Sequence, residues 1–259
     1  MSSPQIIAVV SGRNQRSNLE TLLPTLAGNE YDKVFYLDDG SSDGSARLEV
    51  DGVTVKPGEN DGASLNRNRI LRHLADADPS TRLHFLDADV QPINPDSSTA
   101  QISAAAQVAH AFETRRDAFC IGGPVYQRRR SGDLAPMPWT YGPILSPHSV
   151  ITGAMQLLAG ADRGRFHRSL KGWPHDALTT PRQVGWVADA NFALTLETLR
   201  KRPFEQRITT HAAQTFGRAA LAAERKIWFD PLMPAVVQTA PQGVPPGKIF
   251  ETFHLLTHR

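Results

Sequence analysis

Cysteine is nearly absent from this chain of 259 residues, Cys120 being the only one. No disulfide framework is available to it, which points to a reducing compartment and, with it, a cytoplasmic setting. No stretch of 18 consecutive apolar residues occurs, so no membrane-spanning helix is expected. The opening Met1-Ser2-Ser3-Pro4-Gln5 lacks the basic region and apolar stretch of a signal peptide. Charge of one sign is lacking too. The formal net charge is +2, so no global field favours nucleic acid or a membrane surface. What is present is ordinary for a folded domain: 40% hydrophobic and 21% charged residues, over a length that supports one large α/β domain.

The first half alternates strand-like and helix-like segments. Strands are expected over Ile6–Val10, Val34–Leu37, Gly52–Val55 and Leu83–Leu86, each a short apolar or β-branched run. Between them, Leu19, Leu22, Leu23 and Leu26 recur at helical spacing. A second helix is expected over Ala63–Ala75, with Leu65, Ile70, Leu71 and Leu74 on its apolar side, and a third over Ile102–Arg115. Such alternation predicts an α/β fold with a mainly parallel sheet covered on both faces. The second half is less regular. Strands are expected over Ile121–Tyr126, Val184–Leu194, Lys226–Phe229 and Ala235–Val237, and helices over Ser149–Ala159 and Thr209–Glu224. Irregular loops carry Arg128-Arg129-Arg130, Trp139, Tyr141, the basic stretch from Arg163 to Lys171, and Trp173. The domain is expected to span 1–240, with 1–115 and 116–240 as its two halves. A Pro/Gly hinge and short amphipathic helix over 241–259 could pack on the domain or pair two chains as a homodimer.

Ligands of open parallel sheets sit beyond the carboxyl ends of the strands. That rule gathers Ser11, Arg13 and Asn14 after the first strand, Asp38 and Asp39 after the second, and Asp87 and Asp89 after the fourth around one crevice. Carboxylates at a strand end can accept from a base N–H and a ribose hydroxyl. Residues two apart in an extended segment face the same side, so Asp87 and Asp89 are expected to converge while Ala88 points into the layer behind. Two carboxylates so placed suit a hard cation, Mg²⁺ or Mn²⁺, with diphosphate oxygens completing its shell. On Val184–Leu194, strict alternation would give Trp186, Ala188, Ala190, Phe192 and Leu194 one apolar face. Asp189 and Asn191 would then lie opposite, towards donor sugar or acceptor.

The ordered set Val9-Val10-Ser11-Gly12-Arg13-Asn14, Leu37-Asp38-Asp39-Gly40-Ser41-Ser42-Asp43-Gly44, Gly62-Ala63-Ser64-Leu65-Asn66-Arg67-Asn68 and Leu86-Asp87-Ala88-Asp89 resembles glycosyltransferase family 2 over roughly residues 5 to 95. The resemblance implies a GT-A fold, a Rossmann-like mixed sheet flanked by helices. It implies transfer of a hexosyl unit from a nucleotide-diphosphate sugar to an acceptor hydroxyl, on a glycan, a lipid-linked molecule or a small molecule. Asp39 with Asp38 would hold base and ribose, favouring UDP through the uracil N3–H. Arg67 would support the Asp87 region or the diphosphate, and Asp89 would ligate Mn²⁺ or Mg²⁺ directly.

Two features of the family are missing. The acidic pair that removes the acceptor's proton is replaced by Thr210-His211-Ala212-Ala213, leaving Asp189, His211 and Glu205 as candidate bases. The late metal-ligating His is replaced by Val236-Val237-Gln238, with His254 and His258 in the tail as alternatives. Because the acidic pair is absent, a retaining mechanism and a non-catalytic nucleotide-sugar-binding protein stay open. A nucleotidyltransferase on a related fold is a third reading; it would show a Gly-rich, basic loop after the first strand, of which Ser11-Gly12-Arg13-Asn14-Gln15-Arg16 is a faint version.

Overall fold

The structure is a computed structural model that describes residues 3–94, 102–128, 131–137, 141–142, 179–205, 216–217, 219–220 and 222–238. The helix expected over 149–159, the basic stretch 163–171, Trp139, Trp173, His211, and the hinge and tail helix of 241–259, with His254 and His258, lie outside the described residues.

The first half forms β1 (Ile6–Gly12), α1 (Arg16–Ala27), β2 (Lys33–Asp38), β3 (Val53–Lys56), α2 (Ala63–Asn68), α3 (Ile70–His73), β4 (Arg82–Asp87), β5 (Val90–Pro92) and α4 (Ala104–Thr114). The second half adds β6 (Ala118–Gly122), β7 (Val125–Arg128), β8 (Leu134–Pro136), β9 (Tyr141–Gly142), β10 (Arg182–Val184), β11 (Trp186–Val187), β12 (Asn191–Thr195), α5 (Leu196–Lys201), β13 (Lys226–Phe229) and β14 (Ala235–Val237). Eight strands make the main sheet in the order β10-β13-β6-β12-β4-β1-β2-β3. β3, β2, β1, β4, β6 and β13 run one way; β12 and β10 run the other. The expected mainly parallel α/β sheet is thus observed. A second sheet, β5-β14-β7-β8, sits where the chain leaves the tips of β4 and β6.

Burial explains why these segments form. Leu19, Leu22, Leu23 and Leu26 of α1 are fully buried and pack on Ala8 and Val10 of β1 and Val34 and Tyr36 of β2. On the other face, Ile7, Val9, Leu37 and Phe85 meet Ile70 and Leu74, together with Phe192, Phe204 and Phe216. The central strands are therefore apolar on both sides, the pattern of a covered parallel sheet. Cys120 is buried within this core.

Three expectations are corrected. The 121–126 segment is two strands, because Gly123-Pro124 breaks the run: Pro cannot donate to a ladder, and a Cβ on Gly123 would stand 1.7 Å from the Met233 carbonyl oxygen. The 184–194 segment is three short strands, with a turn at Ala188–Asn191 that breaks the period of two. Asp189 and Asn191 therefore do not share an exposed face; Asn191 is buried and Asp189 half-buried. The 63–75 helix is two pieces hinged at Arg69, and α2 buries Ser64, Asn66 and Arg67 while Leu65 is only partly covered. Its inner face is polar because it lies over strand tips, whose carbonyls and carboxylates need donors.

Candidate active site

Parallel pairing sets the carboxyl tips level. Ser11 is opposite both Leu37 and Asp87, Gly12 is opposite Asp38, and Asn191, which opens β12, is opposite Leu86. One sheet edge therefore carries the β1 loop, Asp38-Asp39, Asp87 to Asp89 and Asp189. Close approach at the centre requires glycine: a Cβ on Gly12 would stand 2.4 Å from that of Ala88. Ala88 is buried behind the edge as expected, although Ala88 and Asp89 form a turn between β4 and β5 rather than an extended run.

The first acidic pair divides its work. Asp38 is buried; Oδ1 accepts from the Tyr36 hydroxyl at 2.9 Å, and Oδ2 from the backbone N–H of Gly40 at 3.0 Å and Ser41 at 2.9 Å. This carboxylate folds the loop that follows it. Burial, the bond to Asp38 and the Asp38 charge all push the Tyr36 hydroxyl above its ordinary pKa, so it stays a donor. Asp39 reaches across to the entrance of α2, where Oδ1 accepts from Asp61 N–H at 2.7 Å and Oδ2 from Gly62 N–H at 3.1 Å. Beside that contact opens a cleft of about 480 Å³ lined by Pro57, Gly58, Glu59, Asp61, Leu65 and Arg69, among others.

The β1 loop is pinned to the β2 loop. Asn14 adopts φ 53°, a left-handed conformation that Asn tolerates, and its Oδ1 accepts from Ser42 N–H at 2.8 Å while its own N–H donates to Ser41 Oγ at 2.8 Å. Arg13 is exposed and donates to Asn60 Oδ1 at 2.5 Å. Ser11 is buried, and its Oγ accepts from Asn66 Nδ2 at 3.0 Å; the same amide donates to Leu37 O at 2.7 Å. Arg69 in turn donates to Asn66 Oδ1, to Asp38 O and to the carbonyls of Lys56 and Pro57.

At the second acidic pair, Arg67 is the hub. Its Nη2 donates to Asp87 Oδ1 at 2.6 Å and to the Asp189 carbonyl at 3.1 Å. The guanidinium is buried, its Nε has no partner, and it lies 5.9 Å from the Phe192 ring centroid. Burial alone would lower its pKa. The Asp87 charge, then that of Asp189, outweighs burial, and the net shift is upward. The Asp87 side chain is 37% exposed, so the pair presents a carboxylate at the opening on a buried cationic base.

Behind the edge runs a relay that the sequence does not announce. Asn191 Nδ2 donates to Met233 O at 2.6 Å, so its Oδ1, 2.8 Å from His84 Nε2, must accept. His84 therefore carries its proton on Nε2, and Nδ1, 2.7 Å away, accepts from the Tyr31 hydroxyl. Burial pushes the His84 pKa down to about 4, against the raising effect of the Asn191 bond, so the ring is neutral. Both amide groups of Asn191 are engaged here, and Asn191 braces the edge from below rather than facing a sugar. The Met233 turn is also clamped by Arg115, which pairs with buried Asp230 at 2.6 Å.

Of the candidate bases, Asp189 is at the edge and within the electrostatic reach of Arg67. Glu205 is exposed, one residue past Phe204, whose backbone is held from both sides by Asn68: Nδ2 donates to Phe204 O at 2.9 Å and Oδ1 accepts from Phe204 N–H at 3.0 Å. Asp87 and Asp89 offer hard oxygen donors suited to Mg²⁺ or Mn²⁺. Among the described residues no third His, Cys, Asp or Glu joins them in a metal-holding group. Such cations need only one or two carboxylates when phosphate oxygens complete the shell, so the donor set fits. No helix of the described residues is long and apolar enough to cross a membrane.

No protein-family profile matches the sequence, and no curated protein sequence matches it. Solved structures do match in fold. GalNAc-T7, crystallised with UDP, GalNAc and Mn²⁺, superposes with a TM-score of 0.63 at 13% identity, over 94% of this chain and 45% of its own. TarS 1-349 of S. aureus in complex with UDP-GlcNAc gives 0.55 at 14% identity, over 97% of this chain and 65% of its own. The TarS 1-349 complex with UDP gives 0.55 at 13%, over 97% and 64%. The chain thus spans less than two thirds of the length of each of these structures. At such identities the likeness establishes architecture, and the architecture of this chain is the GT-A fold.

Proposed function

We propose that this chain transfers a glycosyl unit, a hexosyl unit by the family resemblance, from a nucleotide-diphosphate sugar to an acceptor hydroxyl. A UDP-sugar is the favoured donor. What supports the reading is that Asp39, Asp87, Asp89 and Asp189 stand next to the tips of β2, β4 and β12 along one sheet edge, in a fold shared with structures that hold UDP, UDP-GlcNAc and Mn²⁺. Asp39 lies beside the 57–72 cleft with two backbone donors on its carboxylate, which leaves acceptor capacity for a base N–H. Asp38 contributes by shaping the loop. Ser11 and Asn14 fix the β1 loop against it, and Arg13 projects from that loop as an exposed cation for the donor.

Asp87 and Asp89 would hold Mn²⁺ or Mg²⁺, which when bound neutralises charge on the leaving diphosphate. Arg67 orients Asp87 and, through the Asp189 carbonyl, ties the β12 entrance to it. Asp189 takes the acceptor's proton; its place on the donor edge supports this over exposed Glu205. The test is UDP release from a panel of UDP- and GDP-sugars, with acceptors, in Mn²⁺, Mg²⁺ or chelator. Metal-dependent UDP formation with one sugar supports the reading. Binding of UDP-sugars without turnover on any acceptor supports the non-catalytic alternative.

A further inference from the structure

At the ends of parallel strands the last carbonyls run out of ladder partners and need donors from elsewhere. Arg69, half-buried at the hinge between α2 and α3, supplies them. Its Nη1 donates to Asp38 O of β2 at 2.9 Å and to Asn66 Oδ1 at 2.7 Å; its Nη2 donates to Lys56 O of β3 at 3.2 Å and to the carbonyl of Pro57. Asn66 carries the tie onward, its Nδ2 donating to Ser11 Oγ of β1 at 3.0 Å and to Leu37 O at 2.7 Å. One guanidinium and one amide thus join the tips of three strands. The gap between the β2 tip and the loop after β3 is bridged a second time by Asp39, which accepts from Asp61 and Gly62 N–H. Pro57, Asp61 and Arg69 of these two bridges line the cleft of about 480 Å³, with Gly58 among them. Gly58 fits there because it has no side chain: a Cβ would press on the Arg69 guanidinium and stand 2.6 Å from Asp38 O.

We propose that Arg69 is a positioning residue for the nucleoside end of the donor: its guanidinium fork holds the tips of β2 and β3 at the separation at which Asp39 can meet a base. The proposal rests on the nucleotide-sugar reading of the site. All four acceptors of Arg69 are uncharged, so what it supplies is geometry: a planar fork whose two ends reach different strands, which a lysine ammonium does not reproduce. Without the fork, more of the work of holding the 57–62 loop falls to the carboxylate that has to meet the base. Asp87 and Asp89 lie at the end of β4, on the far side of β1 from β2 and β3, so the metal end should not feel its loss.

The test is calorimetric titration of UDP into the full chain, in chelator and in Mn²⁺, for the parent, Arg69→Met, Arg69→Lys and Gly58→Ala. Arg69→Met should bind UDP about tenfold more weakly in both conditions, the scale of one well-placed hydrogen bond. The factor by which Mn²⁺ tightens UDP should match the parent's, which a general loosening of the edge would not preserve. Arg69→Lys keeps the charge without the fork and should bind as poorly as Arg69→Met. Parental UDP affinity in either Arg69 variant overturns the proposal, and so does loss of the Mn²⁺ factor along with the UDP affinity; the nucleotide-sugar reading then stands, because the parent still binds UDP. If the parent binds no UDP in Mn²⁺, that reading falls and the proposal with it. Should Arg69→Met fail to fold in a thermal melt, Gly58→Ala decides, since it displaces the fork and keeps every side chain of the network. Weaker UDP binding with the Mn²⁺ factor intact supports the assignment, and any other result overturns it.

Discussion

Arg67 Nη2 lies 2.6 Å from Asp87 Oδ1, yet the two partners live in different surroundings: the Arg67 side chain is 3% exposed and that of Asp87 37%. Removing one member of the pair is therefore not equivalent to removing the other. Asp87→Asn strands a buried cation and should cost ~3–5 kcal/mol. Arg67→Met leaves a carboxylate that water can reach, and should cost about 1 kcal/mol or less. Urea unfolding of both variants checks the order; equal losses would contradict the geometry.

His84 makes stability depend on pH. Its folded pKa of about 4 is below the ordinary 6.5. Between those values the unfolded chain binds more protons, so stability rises with pH across this window. The His84 contribution is complete above about pH 6.5 and is lost as pH falls towards 4, a change of up to about 3 kcal/mol. Denaturant unfolding at pH 7.5 and 5.0 measures it. His84→Gln should flatten that part of the slope, and an unchanged slope would show that other groups carry it.

Gly12→Ala probes the packing of the edge. The added methyl meets the Ala88 Cβ at 2.4 Å, and neither group can swing away. The Asp87 to Asp89 turn must shift, at a cost of ~1–3 kcal/mol. Metal-dependent turnover should fall more than tenfold, since misplacement by about 1 Å costs on the order of a hundredfold. A normal rate at saturating metal would show that the turn is not part of the site.

Asp38→Ala and Asp39→Ala should separate structure from binding. Asp38 accepts three hydrogen bonds, from the Tyr36 hydroxyl of β2 and two N–H groups of the loop that follows, so its loss should lower the melting temperature. Asp39 is buried and accepts from the N–H of Asp61, a residue of the cleft wall; on the proposed role its loss should weaken UDP affinity by more than the ~1 kcal/mol of an ordinary hydrogen bond, roughly tenfold. Titration of UDP into each folded variant, beside thermal melts, distinguishes the two.

Much of the first half was legible because each element carries its own signal. The leucines of α1 and the apolar runs of β1, β2 and β4 announce both their type and the edge at which their polar tips gather. The second half hid its breaks. Apolar residues on both sides of Ala188–Asn191 mimic one alternating strand, and only the turn hydrogen bond from Asn191 N–H to Ala188 O shows otherwise. Long-range polar pairings were not legible at all. Tyr31, His84 and Asn191 are 53 and 107 residues apart in successive links, and no local pattern marks them as partners. The same holds for Asn66, which reads as an ordinary helix residue and proves to tie two strand tips together.

The proposed transfer depends on a cation and a nucleotide being held together at the tips of β2 and β4. Calorimetric titration of UDP into the chain, with Mn²⁺ and with chelator, for the parent and for Asp89→Ala, tests this directly. Mn²⁺ should tighten UDP binding by about tenfold or more in the parent, with little effect in Asp89→Ala. UDP affinity that is the same with and without metal in the parent would contradict it.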